Sequence, residues 1–191
     1  MPSVRRRSVM VLPILMFATV VGAGTAFARD SEKQWEIGAY GLDSRFSNST
    51  NLKTAAGYGL RAGYHPKAIH EFELDYDKVS SDSVNLANVS YDITKYVATY
   101  LRIFQPKGKE KVAPFVLFGL GRLGIDSRAD SENSTVYKAG GGVKYFFSPH
   151  LGIRFDALVW RWHGHGDILP RNPFYSFDAN LGATFLFGGT K

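Results

Sequence analysis

The sequence predicts an all-β protein, an eight-stranded antiparallel up-and-down β-barrel that crosses a membrane. Three observations carry that expectation. Between Phe174 and Phe187 the chain alternates strictly. Tyr175, Phe177, Ala179, Leu181, Ala183, Phe185 and Phe187 share one parity, Ser176, Asp178, Asn180, Gly182 and Thr184 the other, and only Leu186 breaks the pattern. Side chains alternate across a strand, so this is one strand with two unlike faces. Its ~14 residues exceed the usual 5–6 of a soluble strand and cover the ~9–11 tilted residues that a bilayer requires. Second, seven further segments repeat the rhythm, joined by connections that alternate between tight turns and longer polar loops. Third, the polar parity carries glycines and charges of both signs, which suits a crowded barrel interior better than a solvent-facing surface.

Each strand is justified in turn. The first, 33–46, sets Trp35, Ile37 and Ala39 on one face; 47–52 is a polar loop. The second, 54–65, alternates Ala56, Tyr58, Leu60, Ala62 and Tyr64 with Gly57, Gly59, Arg61, Gly63 and His65, and the turn 65–68 contains Pro66. The third, 69–79, opposes His70, Phe72, Leu74 and Tyr76 to Glu71, Glu73, Asp75 and Asp77, before the loop 80–88. In the fourth, 90–104, the apolar face is assigned to Val97, Thr99, Leu101 and Ile103; Pro106 and Gly108 mark the turn 105–110. The fifth, 112–126, carries Phe115, Leu117, Leu123 and Ile125, and a loop runs to Ser134. The sixth, 135–147, opposes Tyr137, Ala139, Val143, Tyr145 and Phe147 to Lys138, Gly140, Gly142 and Lys144; 148–150 is the turn. The seventh, 151–162, opposes Leu151, Ile153, Phe155, Ala157 and Val159 to Arg154 and Asp156. Trp160 and Trp162 fall on its polar parity, which implies a bulge or a strand end rising out of the membrane. A loop over 163–173 leads to the eighth strand.

Residues 1–28 precede this pattern and read as a secretory signal peptide. Arg5, Arg6 and Arg7 form the basic start, 9–21 is apolar, and Ala26-Phe27-Ala28 places small residues at the cleavage site. Residues 29–191 then form a single barrel domain of 163 residues. Three of the six net positive charges leave with the leader, and with no basic stripe remaining, nucleic-acid binding is excluded. Cysteine is absent, which removes disulfides, thiol catalysis and cysteine-ligated metals.

Lying on the inward parity, Arg61, Glu71, Glu73, Asp75, Asp77, Lys138, Lys144, Arg154, Asp156 and Asp178 are expected to form a paired network that fills the lumen. Four neighbouring carboxylates at 71–77 need cationic partners in so restricted a space, and Arg61 and the lysines of strand six are the expected ones.

The closing pattern Asn180-x-Gly182-x-x-Phe185-x-Phe187 resembles the C-terminal assembly signal of bacterial outer-membrane barrels, although four residues come after it. With the strand rhythm, the opening Val112-Ala113-Pro114-Phe115 through Gly119-Leu120-Gly121, and the hairpin 145–151, residues 33–187 are similar to the outer-membrane β-barrel domain family of small eight-stranded OmpA- and OmpX-like proteins. The resemblance implies the outer membrane of a Gram-negative cell, contact with outer-membrane lipid and lipopolysaccharide, delivery by the barrel assembly machinery, and a monomer without cofactor. Fold-level similarity says little about activity.

Two catalytic alternatives are weak. His163-Gly164-His165 resembles the His-x-Ser stretch of outer-membrane lipid A deacylases, and Asn172-Pro173 is similar to the next part of that stretch. The serine position is His165, however, and no glutamate occurs after Glu132, so a Ser–His mechanism lacks its nucleophile. His163 and His165 with Asp167 form a second candidate, a loose transition-metal site on a glycine-rich loop. The expected function is therefore a structural or interaction-type barrel without catalysis, with a deacylase-like enzyme and a small-solute channel as alternatives.

Overall fold

The computed structural model describes residues 32–47, 50, 52–84, 89–104, 111–127, 130–164 and 171–189. The leader and the turn at 105–110 lie outside the described residues. Eight strands succeed one another: β1 (Gln34–Phe46), β2 (Ala55–Lys67), β3 (His70–Asp82), β4 (Ser90–Ile103), β5 (Val112–Asp126), β6 (Ser131–Phe146), β7 (Leu151–His163) and β8 (Pro173–Gly188). Each pairs antiparallel with the next, and β1 pairs with β8, so the sheet is a closed barrel with no free edge. The closing seam runs from Gln34 opposite Gly188 to Phe46 opposite Ser176. β8 stops at Gly188 and Gly189, whose positive φ of 79° and 101° turns the chain out of the sheet.

Boundaries agree with the sequence expectations to within a few residues. The largest differences are at β3, which continues to Asp82, and β6, which begins at Ser131. Serine, aspartate and asparagine there read as loop, but both strands are held in register by full partners, Asp82 opposite Ser90 and Ser131 opposite Asp126. Sheet pairing overrides weak local propensity.

Outside, the barrel wears an apolar belt. Leu74 and Leu181 are the most exposed of its large members, at 68% and 62%. Trp35, Tyr64, Phe72 and Tyr100 face outward toward the short-turn end, and Tyr58, Tyr76, Tyr96 and Tyr175 toward the other. Aromatic girdles flanking an aliphatic band are the surface that a bilayer selects.

Two sequence assignments are corrected. On β4, Val97, Thr99, Leu101 and Ile103 are buried inside the barrel, and Tyr96, Ala98, Tyr100 and Arg102 face outward. On β5, Phe115, Leu117, Leu123 and Ile125 are likewise interior, while Val116, Phe118 and Leu120 face out. Both parities of these strands are largely apolar, so alternation could not decide. The physical reason is that the interior is not uniformly polar: Leu42, Val79, Ile93, Leu123, Ile125, Val136 and Phe174 build an apolar plug toward the long-loop end, and Leu101, Ile103, Ala113, Phe115, Phe146 and Leu186 are buried toward the short-turn end. Trp160 and Trp162 belong to this plug, buried at 0% and 1% on an unbroken β7–β8 register. Neither a bulge nor a protruding strand end is needed.

Leu74 sits mid-strand on the outward face. Leu74→Arg should therefore lower the unfolding free energy in lipid bilayers by about 2–4 kcal/mol. Ser80→Arg, near the rim of the same strand, should change it by less than about 1 kcal/mol. Urea titrations of both variants in vesicles provide the comparison.

Candidate functional site: the charged interior

The barrel wall projects every second side chain inward, and β3 projects four carboxylates in a row. Each meets a different partner. Glu71 receives Lys144 Nζ at 2.6 Å, and Glu73 pairs with the Arg154 guanidinium. Asp75 receives Lys138 Nζ at 2.5 Å and the Thr99 hydroxyl at 2.6 Å, and Asp77 accepts the Tyr40 hydroxyl. Partners therefore come from β1, β4, β6 and β7, so the row is tied to strands around the whole circumference.

Toward the short-turn end, Lys144 sits at the centre of a cluster. Its ammonium donates to both Glu36 oxygens at 2.8 Å as well as to Glu71. His65 Nε2 lies 3.0 Å from Glu36 and 3.3 Å from Glu71, and the Thr184 hydroxyl donates to Glu36 at 2.5 Å. Glu36, His65 and Glu71 are close enough to be weighed as metal ligands. Lys144 already occupies the charge position between the two carboxylates, so the group is complete as an ion cluster. In the middle, Asp156 bridges two arginines, accepting Arg154 Nε at 2.7 Å and Arg61 Nη2 at 3.0 Å. Higher up, Lys95 reaches across from β4 to Asp178 on β8 at 2.6 Å.

Aromatic faces cover the cations where carboxylates do not. The Lys95 ammonium lies 4.1 Å from the Trp160 ring centroid, the Arg61 guanidinium carbon 4.0 Å from Tyr40, and that of Arg154 4.5 Å from Phe115. Such contacts favour a desolvated cation. Glycine provides the room. A Cβ at Gly119 would lie 2.8 Å from Lys138 Cε, and one at Gly63 would lie 2.7 Å from a Glu71 oxygen.

All ten expected interior residues, Arg61, Glu71, Glu73, Asp75, Asp77, Lys138, Lys144, Arg154, Asp156 and Asp178, are buried. Arg61 was expected against the β3 row, but it bonds Asp156 on β7 instead. Sequence reasoning missed Glu36, Tyr40, Lys95, Thr99 and Thr184 and gave His65 no role. Glu36 and Thr184 were legible, since each alternates with outward apolar neighbours. Lys95 and Thr99 were hidden by the inverted parity of β4. Of the candidate catalytic histidines, His163 is exposed at the end of β7, and its backbone carbonyl accepts the Ser134 hydroxyl at 2.6 Å. His165 and Asp167 lie outside the described residues. In the assembly stretch, Asn180 points inward while Phe185 and Phe187 face outward on β8.

Removing one partner of a buried pair leaves the other charge uncompensated, which costs about 3–5 kcal/mol. Lys144→Ala strands two carboxylates and should fall in that range. Glu73→Lys, which sets a third cation beside Arg154 and Lys144, should fall at its upper end. Exchange of Ser131 for threonine should shift stability by less than about 0.5 kcal/mol. Denaturant midpoints of the folded, heat-modifiable species separate the three.

Comparison with known proteins agrees with this architecture. The outer membrane porin F of Pseudomonas fluorescens is 24% identical over 178 residues, which is 87% of this chain and 52% of that protein. The chain thus spans about half the length of the curated relative it matches. The crystal structure of Neisserial surface protein A superposes with a TM-score of 0.59 at 17% identity, covering 82% of this chain and 100% of that one. The N-terminal β-barrel domain of Pseudomonas aeruginosa OprF does so with a TM-score of 0.55 at 22% identity, covering 82% and 98%. Likeness at such identities carries the fold alone. The family described as outer membrane protein beta-barrel domain matches residues 14–187, and the chain belongs to that family.

Proposed function

We propose that the chain is a structural or interaction-type outer-membrane barrel with a sealed lumen and no catalytic centre, meeting the cell exterior through its long loops. One observation supports this above the others: most of the interior charges are paired with one another across the lumen, from Glu36 to Asp178, and an apolar plug lies above them. An eight-stranded barrel is just wide enough for side chains to fill. Paired side chains joining opposite walls leave no polar path that an ion could take without breaking pairs.

Residues 1–28 act in this reading as the cleaved export signal, and residues 29–191 fold as one domain. The barrel is a monomer, bounded by outer-membrane lipid and lipopolysaccharide and delivered by the barrel assembly machinery. Asn180, Gly182, Phe185 and Phe187 form the strand presented to that machinery, with the two phenylalanines outward, where lipid and assembly partner meet them. The name of the Pseudomonas fluorescens relative, a porin, favours the small-solute channel as the second reading. The deacylase-like alternative gains nothing comparable, because His163 is exposed at a strand end.

Purified protein in planar bilayers should show negligible steady conductance; stable steps of a single size would promote the channel. Mass spectra of lipid A from cells with and without the gene should be the same, and loss of an acyl chain on expression would establish the enzyme. Polar replacement of Phe185 and Phe187 together should reduce the amount in outer-membrane fractions about tenfold, whereas normal levels would remove their role in assembly.

A further inference from the structure

On the outward face of β1 to β5 a row of aromatics runs perpendicular to the strands. Trp35 pairs with Tyr64, Tyr64 with Phe72, Phe72 with Tyr100, and Tyr100 with Phe118. One step along the strands the row is Ile37, Ala62, Leu74, Ala98 and Leu120. Alanines set against large rings leave a groove of about 450 Å³, lined by Ala62, Tyr64, Phe72, Ala98, Tyr100 and Phe118 among others. The groove is apolar, with room for a hydrocarbon chain.

A polar relay stands at its end. Arg102 comes after Tyr100 on the outward parity of β4, half-buried, and is opposite His70. Its Nη1 donates to His70 Nε2 at 3.0 Å, and His70 Nδ1 lies 2.7 Å from the Tyr100 oxygen. Because an arginine only donates, Nε2 must accept, and the imidazole proton sits on Nδ1. His70 therefore donates to the Tyr100 oxygen, and the Tyr100 hydroxyl proton remains to be given to an acceptor. Among the described residues Arg102 forms no ion pair, in contrast to Arg45 and Lys78 toward the opposite rim, which lie beside Asp43 and Asp92. A cation on a lipid-facing surface needs an anion or water. Here the remaining donors of a guanidinium fork and a phenol converge beside an acyl-sized groove.

The position selects the anion. His70 comes directly after the two-residue turn at Ala68 and Ile69, and the Ile103 amide donates to the Ile69 carbonyl at 3.0 Å, so the relay lies at the short-turn end. Short turns of outer-membrane barrels face the periplasm, and that leaflet is made of glycerophospholipid. Arginine matches a phosphate bidentately.

We propose that this face holds one anionic glycerophospholipid of the periplasmic leaflet, its phosphate on Arg102 and Tyr100 and one acyl chain in the groove; the inference rests on the outer-membrane reading above. The test is native mass spectrometry of the full-length protein released from nanodiscs containing phosphatidylglycerol of defined chain length. A one-to-one adduct should survive release. Arg102→Gln and Ala98→Trp, which remove the cation and fill the groove, should each reduce the retained adduct about fivefold or more. Arg102→Lys, which keeps the charge but loses the bidentate fork, should retain less than the unaltered protein and more than Arg102→Gln, and Arg161→Gln on β7 should leave it unchanged. Heat-shifted electrophoretic mobility verifies that each variant is a folded barrel. Insertion without a discrete adduct, or equal losses in the Arg102 and Arg161 variants, overturns the lipid site and leaves the membrane reading intact. Loss with Arg102→Gln but not with Ala98→Trp overturns the groove. Failure of the unaltered protein to enter bilayers overturns both.

Discussion

The structure depends on the requirement that charges enclosed by a closed sheet find partners. Closure satisfies every backbone group and removes the edges, but it also traps whatever side chains the inward parity carries. Here that is five lysines and arginines, Arg61, Lys95, Lys138, Lys144 and Arg154, against eight carboxylates, Glu36, Glu71, Glu73, Asp75, Asp77, Glu132, Asp156 and Asp178. Cations alone cannot serve all the acids. Tyr40, Thr99 and Thr184 supply neutral donors, His65 stands between two carboxylates, and Asp156 and Lys144 are each shared. In a low-dielectric interior each such bond is stronger than in water, and each omission costs more.

That requirement organises the rest. Lysine and arginine span the lumen because their stems are long, and lumen-side glycines such as Gly63 and Gly119 give the stems passage. Aromatic rings at Tyr40, Phe115 and Trp160 face the cations from the wall. Above the charged zone the interior turns apolar, with Trp162, Phe174 and Ile93 fully buried. Polar at the centre, apolar at the plug and aliphatic outside, the barrel has one environment for each class of side chain. With no cysteine in the sequence, closure and pairing act without disulfides.

Much of this was legible in the residues. Strand number, order and most boundaries came from a period of two and from turn chemistry at Pro66, Pro149 and the polar loops. The outward faces of β2, β3, β7 and β8 came from clean alternation. β4 and β5 could not be read because both of their parities are apolar, and only the packing of Leu101, Phe115 and Ile125 inside decides between them. Trp160 and Trp162 were misread for a different reason, an expectation that the lumen is polar throughout. Pair identities were less legible than membership. Arg61 and Asp156 are far apart in sequence and meet only because of the tilt and register of a closed sheet. Nothing local encodes that distance.

The central claim is that ion pairs across the lumen tie opposite walls together, and the Lys95–Asp178 contact between β4 and β8 is its clearest instance. A double-mutant cycle of Lys95→Met and Asp178→Asn, read as unfolding free energy in lipid vesicles, measures that tie directly. Partners in one network couple by about 0.5–3 kcal/mol, and a value in that range is predicted. Additive single substitutions, with coupling indistinguishable from zero, would contradict the account.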